Sequence, residues 1–131
     1  AADYKLAGSA ANARLSDLHF PLDLVWLGMG ADGHTASIFP GPDLEAAFAA
    51  GKDVRAIGVA PDPLPSEAPV NRVTLTPSAI ASARTAMLVI NGGEKRRVLE
   101  QAIDEGAKSA FPVGRLLDKL TVPLDIHCLM D

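Results

Sequence analysis

Short apolar runs that alternate with helix-forming segments constrain this chain more than any other feature of its sequence. Residues 22–27 (LDLVWL), 54–59 (VRAIGV), 86–90 (AMLVI) and 124–129 (LDIHCL) are long enough for strands and too short for buried helices. The run 72–75 is also β-prone. Between these lie helix signals: an alanine-rich stretch at 3–14 with Leu6, Ala10 and Ala13 at helical spacing, and 43–50 behind a possible Asp43 cap. Others are 76–83, with Thr76 as N-cap and Pro77 in the first position, the amphipathic stretch 94–107, and 113–120. In 94–107 the spacing turns Val98, Ala102 and Ile103 inward, with Arg96, Arg97 and Glu100 outward. The piece 35–39 (TASIF) is stopped by Pro40-Gly41-Pro42 and has room for one or two helical turns. Four prolines within 61–69 make that segment an extended surface loop. Strands separated by helices indicate an α/β layer with a mostly parallel sheet and helices on both faces. The run 22–27, apolar almost throughout, reads as a strand buried on both faces.

With 131 residues the expectation is one domain. The composition, 48% hydrophobic and 21% charged, is that of a globular chain and not of a disordered one. The net charge of −4 resides in the first half, and neither half forms a basic patch, so nucleic-acid binding is disfavoured. No apolar stretch approaches the ~20 residues of a membrane crossing, and no secretory signal is read at the start. Cys128 is the single cysteine, so no intrachain disulfide can form, and a reducing, cytoplasmic setting is expected. With one cysteine and three histidines, a structural zinc site is not expected.

In parallel sheets a ligand sits beyond the carboxyl ends of the strands. Two turns that follow strands are therefore the candidate site. The first, Gly28-Met29-Gly30-Ala31-Asp32-Gly33-His34, satisfies G-x-G-x-x-G, but a dinucleotide reading fails. The crossover helix would be cut at Pro40, and the acidic residue about twenty positions on, Asp53, falls at the start of the next strand, not its end. What the turn offers is an imidazole able to take a proton from water and return it. Asp32 is placed to orient the imidazole or the attacking water, and Gly28, Gly30 and Gly33 leave amides open to an anion or oxyanion. The alternative is that His34 caps a short helix and Asp32 closes a turn. The second candidate is a cation pair. Arg72 opens a strand after the proline loop, and Lys95 lies in the first turn of a helix behind Gly92-Gly93, where it runs against the helix dipole unless an anion binds there. The alternative is that Lys95 is one exposed charge among Glu94, Arg96 and Arg97. His19 and His127 are taken as structural, Cys128 as core and Trp26 as packing.

The run from Asp23 to Gly41, DLVWLGMGADGHTASIFPG, closely resembles the signature of the 6-phosphogluconolactonase family. Asn71-Arg72-Val73-Thr74-Leu75-Thr76, Gly92-Gly93-Glu94-Lys95 and Pro123-Leu124-Asp125-Ile126-His127 follow in the order that family shows. The resemblance implies a Rossmann-like fold of the glucosamine-6-phosphate isomerase/6-phosphogluconolactonase type. It implies hydrolysis of 6-phospho-D-glucono-1,5-lactone to 6-phosphogluconate, in the oxidative branch of the pentose phosphate pathway, without metal or cofactor. His34 would be the general base, while Arg72 and Lys95 would hold the 6-phosphate. The related glucosamine-6-phosphate deaminases resemble the chain at the D-G-H turn, but carry a glutamate five residues after the histidine, where this chain has Phe39. The resemblance covers the C-terminal half or so of the family's usual length. The first strands of the sheet are therefore expected to be missing, with the N-terminal part of the same chain as the natural partner. A non-catalytic phosphosugar-binding fragment is the remaining alternative.

Overall fold

The computed structural model describes residues 3–130. Helix α1 (Tyr4–Leu15) leads to strand β1 (Val25–Leu27), helix α2 (Leu44–Ala49), strand β2 (Ala56–Val59) and strand β3 (Arg72–Leu75). Helix α3 (Pro77–Ala81), strand β4 (Ala86–Asn91), helix α4 (Gly93–Glu105), a 3-10 turn, helix α5 (Pro112–Lys119) and strand β5 (Leu124–Leu129) complete it. The strands β1-β4-β5 form a parallel sheet in that order, and β2-β3 form a separate antiparallel pair. Mostly parallel strands with interposed helices agree with the pattern in the sequence.

The start of α3 follows from its local chemistry. The Thr76 hydroxyl oxygen accepts from the amide of Ala79 at 3.1 Å, and Pro77 fills the position where an amide would lack a partner. Asp43 stands at the head of α2 but caps through no side-chain bond there; its carboxylate takes the Tyr4 hydroxyl at 3.1 Å and the Ala60 amide at 2.8 Å, tying α1 and the end of β2 together. Asn12 does the same from α1, accepting the amides of Arg55 and Ala56 at 2.6 and 3.2 Å. These bonds bring α1 onto β2 and β3.

The sheet's two faces differ. Parallel register sets Val25, Ala86 and Leu124 side by side, then Leu27, Leu88 and Ile126. On that face α3, α4 and α5 deliver Ile80, Val98, Leu99, Val113 and Leu116 to one core. Each such fully buried aliphatic side chain contributes about 1.5–3 kcal/mol of transfer free energy. The other face presents Trp26, Met87, Val89 and Leu129, and no helix of the described residues covers it: Trp26 is 69% exposed and Leu129 66%.

Several local expectations are corrected. The strand in 22–27 is buried on one face only, and Trp26 is not packed. Ile103 lies on the solvent side of α4, and Leu99 takes the inward place. In α1, Leu6 faces water while Gly8 is buried, because α1 docks through another stripe. His19 and His127 are exposed, whereas Cys128 packs against the core as expected. Residues 35–39 form no helix: Thr35 and Ile38 bridge across a tight turn, with the Thr35 hydroxyl bonded to the Gly28 carbonyl at 2.7 Å. No helix among the described residues is long and apolar enough to cross a membrane.

Candidate active site

Strands β1 and β4 are parallel neighbours, so the turns that follow them leave the sheet at the same end. The first carries Asp32 and His34; the second leads into α4 and carries Lys95. A bond from the Ser37 amide to the Thr74 hydroxyl (3.1 Å) ties the first turn to β3, which begins with Arg72. A cavity of about 530 Å3 results, within the range of small-ligand sites, lined by Gly30, Asp32, His34, Arg72 and Lys95 together with Phe39, Pro65 and Glu67. A cleft of similar size between α1 and β3 is lined largely by apolar groups and offers only Arg14 as a charge.

Within the turn, Nδ1 of His34 lies 2.5 Å from Oδ1 of Asp32, and the same oxygen accepts the backbone amide of His34 at 3.1 Å. An ionised carboxylate only accepts, so the proton of the neutral imidazole sits on Nδ1 and Nε2 keeps its lone pair. The His34 side chain is 29% exposed, open enough to meet water. Since residues 35–39 are not helical, the reading of His34 as a helix cap is removed.

The glycines divide the labour differently from the expectation of open amides. The Gly30 amide bonds the His34 carbonyl at 3.0 Å and the Gly33 amide bonds the Gly30 carbonyl at 2.9 Å, so both are committed to the turn. Gly30 instead makes room: a Cβ there would strike the imidazole of His34 and the carboxylate of Asp32. Gly33 has φ +82° and returns its carbonyl to the amide of Val113, fixing the turn against α5. Gly28 and Gly33 do not line the cavity.

Arg72 is half-buried and donates to the Ala68 carbonyl at 2.7 Å, which draws the proline loop, with Pro65 and Glu67, over the cavity's rim. Lys95 is half-buried while Glu94, Arg96 and Arg97 are exposed, so it is not one of an undifferentiated row. Neither Arg72 nor Lys95 forms a salt bridge among the described residues. Two cations that line one cavity and have no carboxylate partner among the described residues suit an anion. Two residues of the site were not singled out from the sequence, Phe39 as a contact of His34 and Glu67 as a lining group. Glu67 carries no local signal, and the place of Phe39 five residues after His34 marks the absent glutamate but not the ring contact, which arises through tertiary approach.

Residues 1–122 match the family model described as glucosamine-6-phosphate isomerases/6-phosphogluconolactonase. A protein named 6-phosphogluconolactonase from Rhizobium meliloti is 37% identical over 92% of this chain and 51% of its own length. One of the same name from Pseudomonas aeruginosa is 36% identical over 97% of this chain and 51% of its own. The crystal structure of a 6-phosphogluconolactonase from Shewanella baltica superposes with a TM-score of 0.83 at 32% identity, covering 98% of this chain and 52% of that one. The chain thus spans about half the length of the relatives it matches.

Proposed function

The chain belongs to the glucosamine-6-phosphate isomerase/6-phosphogluconolactonase family, and from that premise we propose that it opens 6-phospho-D-glucono-1,5-lactone to 6-phosphogluconate, within the oxidative branch of the pentose phosphate pathway. The observation that carries the proposal is an oriented Asp32–His34 pair sharing one cavity with two cations that form no salt bridge among the described residues. Asp32 holds the imidazole by Nδ1–H. Nε2 takes a proton from water, and the hydroxide adds to the lactone carbonyl carbon. The tetrahedral intermediate then expels the ring oxygen, which receives the proton held on Nε2, so the imidazole is neutral again. The carboxylic acid formed releases its own proton to solvent. Arg72 and Lys95 bind the 6-phosphate and hold the sugar while the carbonyl meets the base.

Phe39 argues for lactonase over deaminase. A phenyl ring cannot move a proton, and it stacks on the imidazole at a centroid distance of 4.1 Å.

The open sheet face, with Trp26 and Leu129 exposed, supports a second part of the proposal. The 1–131 segment is the C-terminal part of a larger α/β domain, and the portion of the relatives' length that it does not match packs on this face and beside β1. The single cysteine supports a reducing, cytoplasmic location.

The test is lactone turnover by the protein as the cell makes it, corrected for spontaneous ring opening. A His34→Ala variant should lose roughly 10²-fold or more of the enzymatic rate. An unchanged rate in that variant ends the mechanism. Ammonia release from glucosamine 6-phosphate would instead favour the deaminase.

A further inference from the structure

Phe39 lies in an irregular segment, yet it is only 5% exposed. Both of its ring contacts are site residues. The imidazole of His34 stacks on it with centroids 4.1 Å apart and planes 19° from parallel, and the Arg72 guanidinium carbon stands 4.5 Å from the same centroid. The imidazole and the guanidinium are therefore no further apart than those two distances laid end to end.

We propose that Phe39 is a positioning residue, whose ring sets the spacing between the imidazole that activates water and the guanidinium that holds the phosphate. That spacing measures the substrate's span from phosphate to carbonyl. The proposal deepens the lactonase reading and rests on it for the identity of the substrate. Asp32 fixes one atom of the imidazole, which leaves the ring plane to be set by something else; the stack sets it. Arg72 is held at one end by the Ala68 carbonyl, and the phenyl face restrains the planar guanidinium that would otherwise sample many rotamers. Because Phe39 is itself buried, neither partner can move independently of the other.

The variants Phe39→Leu and Phe39→Tyr separate packing from stacking, since leucine fills much of the volume without an aromatic face and tyrosine keeps the face. The direct readout is the side-chain 1H–15N spectrum of His34 in its neutral form. In wild type it should show a proton on Nδ1 and ring protons displaced upfield by the phenyl ring current. Phe39→Leu should lose that displacement and broaden the ring signals as the imidazole samples several planes, with the proton still on Nδ1 beside Asp32, whereas Phe39→Tyr should keep the wild-type spectrum. Titration with inorganic phosphate, followed on the Arg72 side-chain signals, should weaken about three- to tenfold in Phe39→Leu and change little in Phe39→Tyr. In turnover, Phe39→Leu should lower kcat and raise KM together. A wild-type His34 spectrum or wild-type phosphate affinity in Phe39→Leu overturns the proposal, as does a Phe39→Tyr protein that loses as much as Phe39→Leu. If the spectra behave as expected but the wild type does not turn over the lactone, the substrate assignment falls and the positioning role stands.

Discussion

One carboxylate oxygen, Oδ1 of Asp32, receives both the backbone amide and the ring Nδ1 of His34, at 3.1 and 2.5 Å. The backbone bond locks the carboxylate in place, and the locked carboxylate then selects the imidazole tautomer. Asp32→Asn keeps the shape but presents an NH2 group that can donate to Nδ1, favouring the tautomer with its proton on Nε2, the wrong atom for a base. The expected loss in kcat is roughly 10²-fold or more, with KM for the lactone changed by little. Steady-state kinetics on protein of verified fold decide the matter: an Asp32→Asn enzyme with wild-type kcat contradicts the tautomer argument.

The cation pair should behave in the opposite way. On the proposed reading Arg72 and Lys95 meet the part of the substrate that does not react, so their loss would remove binding common to ground and transition states. Arg72→Ala should raise KM about ten- to a hundredfold, the scale of a lost charge-assisted hydrogen bond, with kcat reduced less. Lys95→Ala should follow the same direction. Added salt should raise KM in the wild type more than in either variant, because it screens charges that the variants no longer possess. A fall in kcat alone, with KM intact, would place Arg72 at the reacting centre instead.

Gly30 offers a steric test. The Cβ of an alanine there would strike both the His34 imidazole and the Asp32 carboxylate, and one of them must move. Because Gly30 lies at the cavity wall and not in the core, Gly30→Ala should fold with a near-wild-type melting temperature while losing most of its turnover. Gly33→Ala is different: at φ +82° and against the Phe111 ring it should lower the melting temperature itself. Circular dichroism melts of the two variants distinguish these outcomes, and a Gly30→Ala protein with full activity would show that the imidazole has slack.

Strands and the Thr76 cap were legible because they rest on local chemistry, while Asp43, read as a cap, directs its carboxylate to Tyr4 and Ala60 instead. The run 124–129 coincides with β5, and Thr76-Pro77 starts α3 by the bond that its spacing suggests. The sides of elements were less legible. Trp26 looks like a core residue until the register with Met87 and Asp125 puts it on the face that no described helix covers. TASIF has helical length and composition, yet the Thr35 hydroxyl and the Ser37 amide prefer tertiary partners at Gly28 and Thr74. The same division runs through the site. His34, Asp32, Arg72 and Lys95 stand in or beside turns, where polar residues show against an apolar background. Phe39 and Glu67 have roles set only by what the folded chain brings to them.

Acid stability provides a prediction away from the cavity. Arg115 of α5 forms a paired bond with Glu45 of α2, at 2.7 and 3.2 Å, and its guanidinium carbon also lies 4.1 Å from the centre of the Phe48 ring. Hydrogen bonding by Arg115, and then its charge, holds the Glu45 carboxyl below the usual glutamate range. A carboxyl whose pKa is lower in the folded than in the unfolded chain stabilises the fold above the unfolded value. That contribution is lost as pH falls from the unfolded value through the folded one, because in that window the unfolded chain binds a proton that the folded chain does not. Melting temperatures of wild type and Glu45→Gln should therefore differ at neutral pH, with wild type higher, and converge in acid below the ordinary glutamate range. Arg115→Met should abolish the pH dependence that Glu45 contributes. Since Glu45 is exposed, the neutral-pH difference should be small and shrink further with salt. A gap that persists unchanged into strong acid would mean that Glu45→Gln acts through packing beside Phe48 and not through the charge of Glu45.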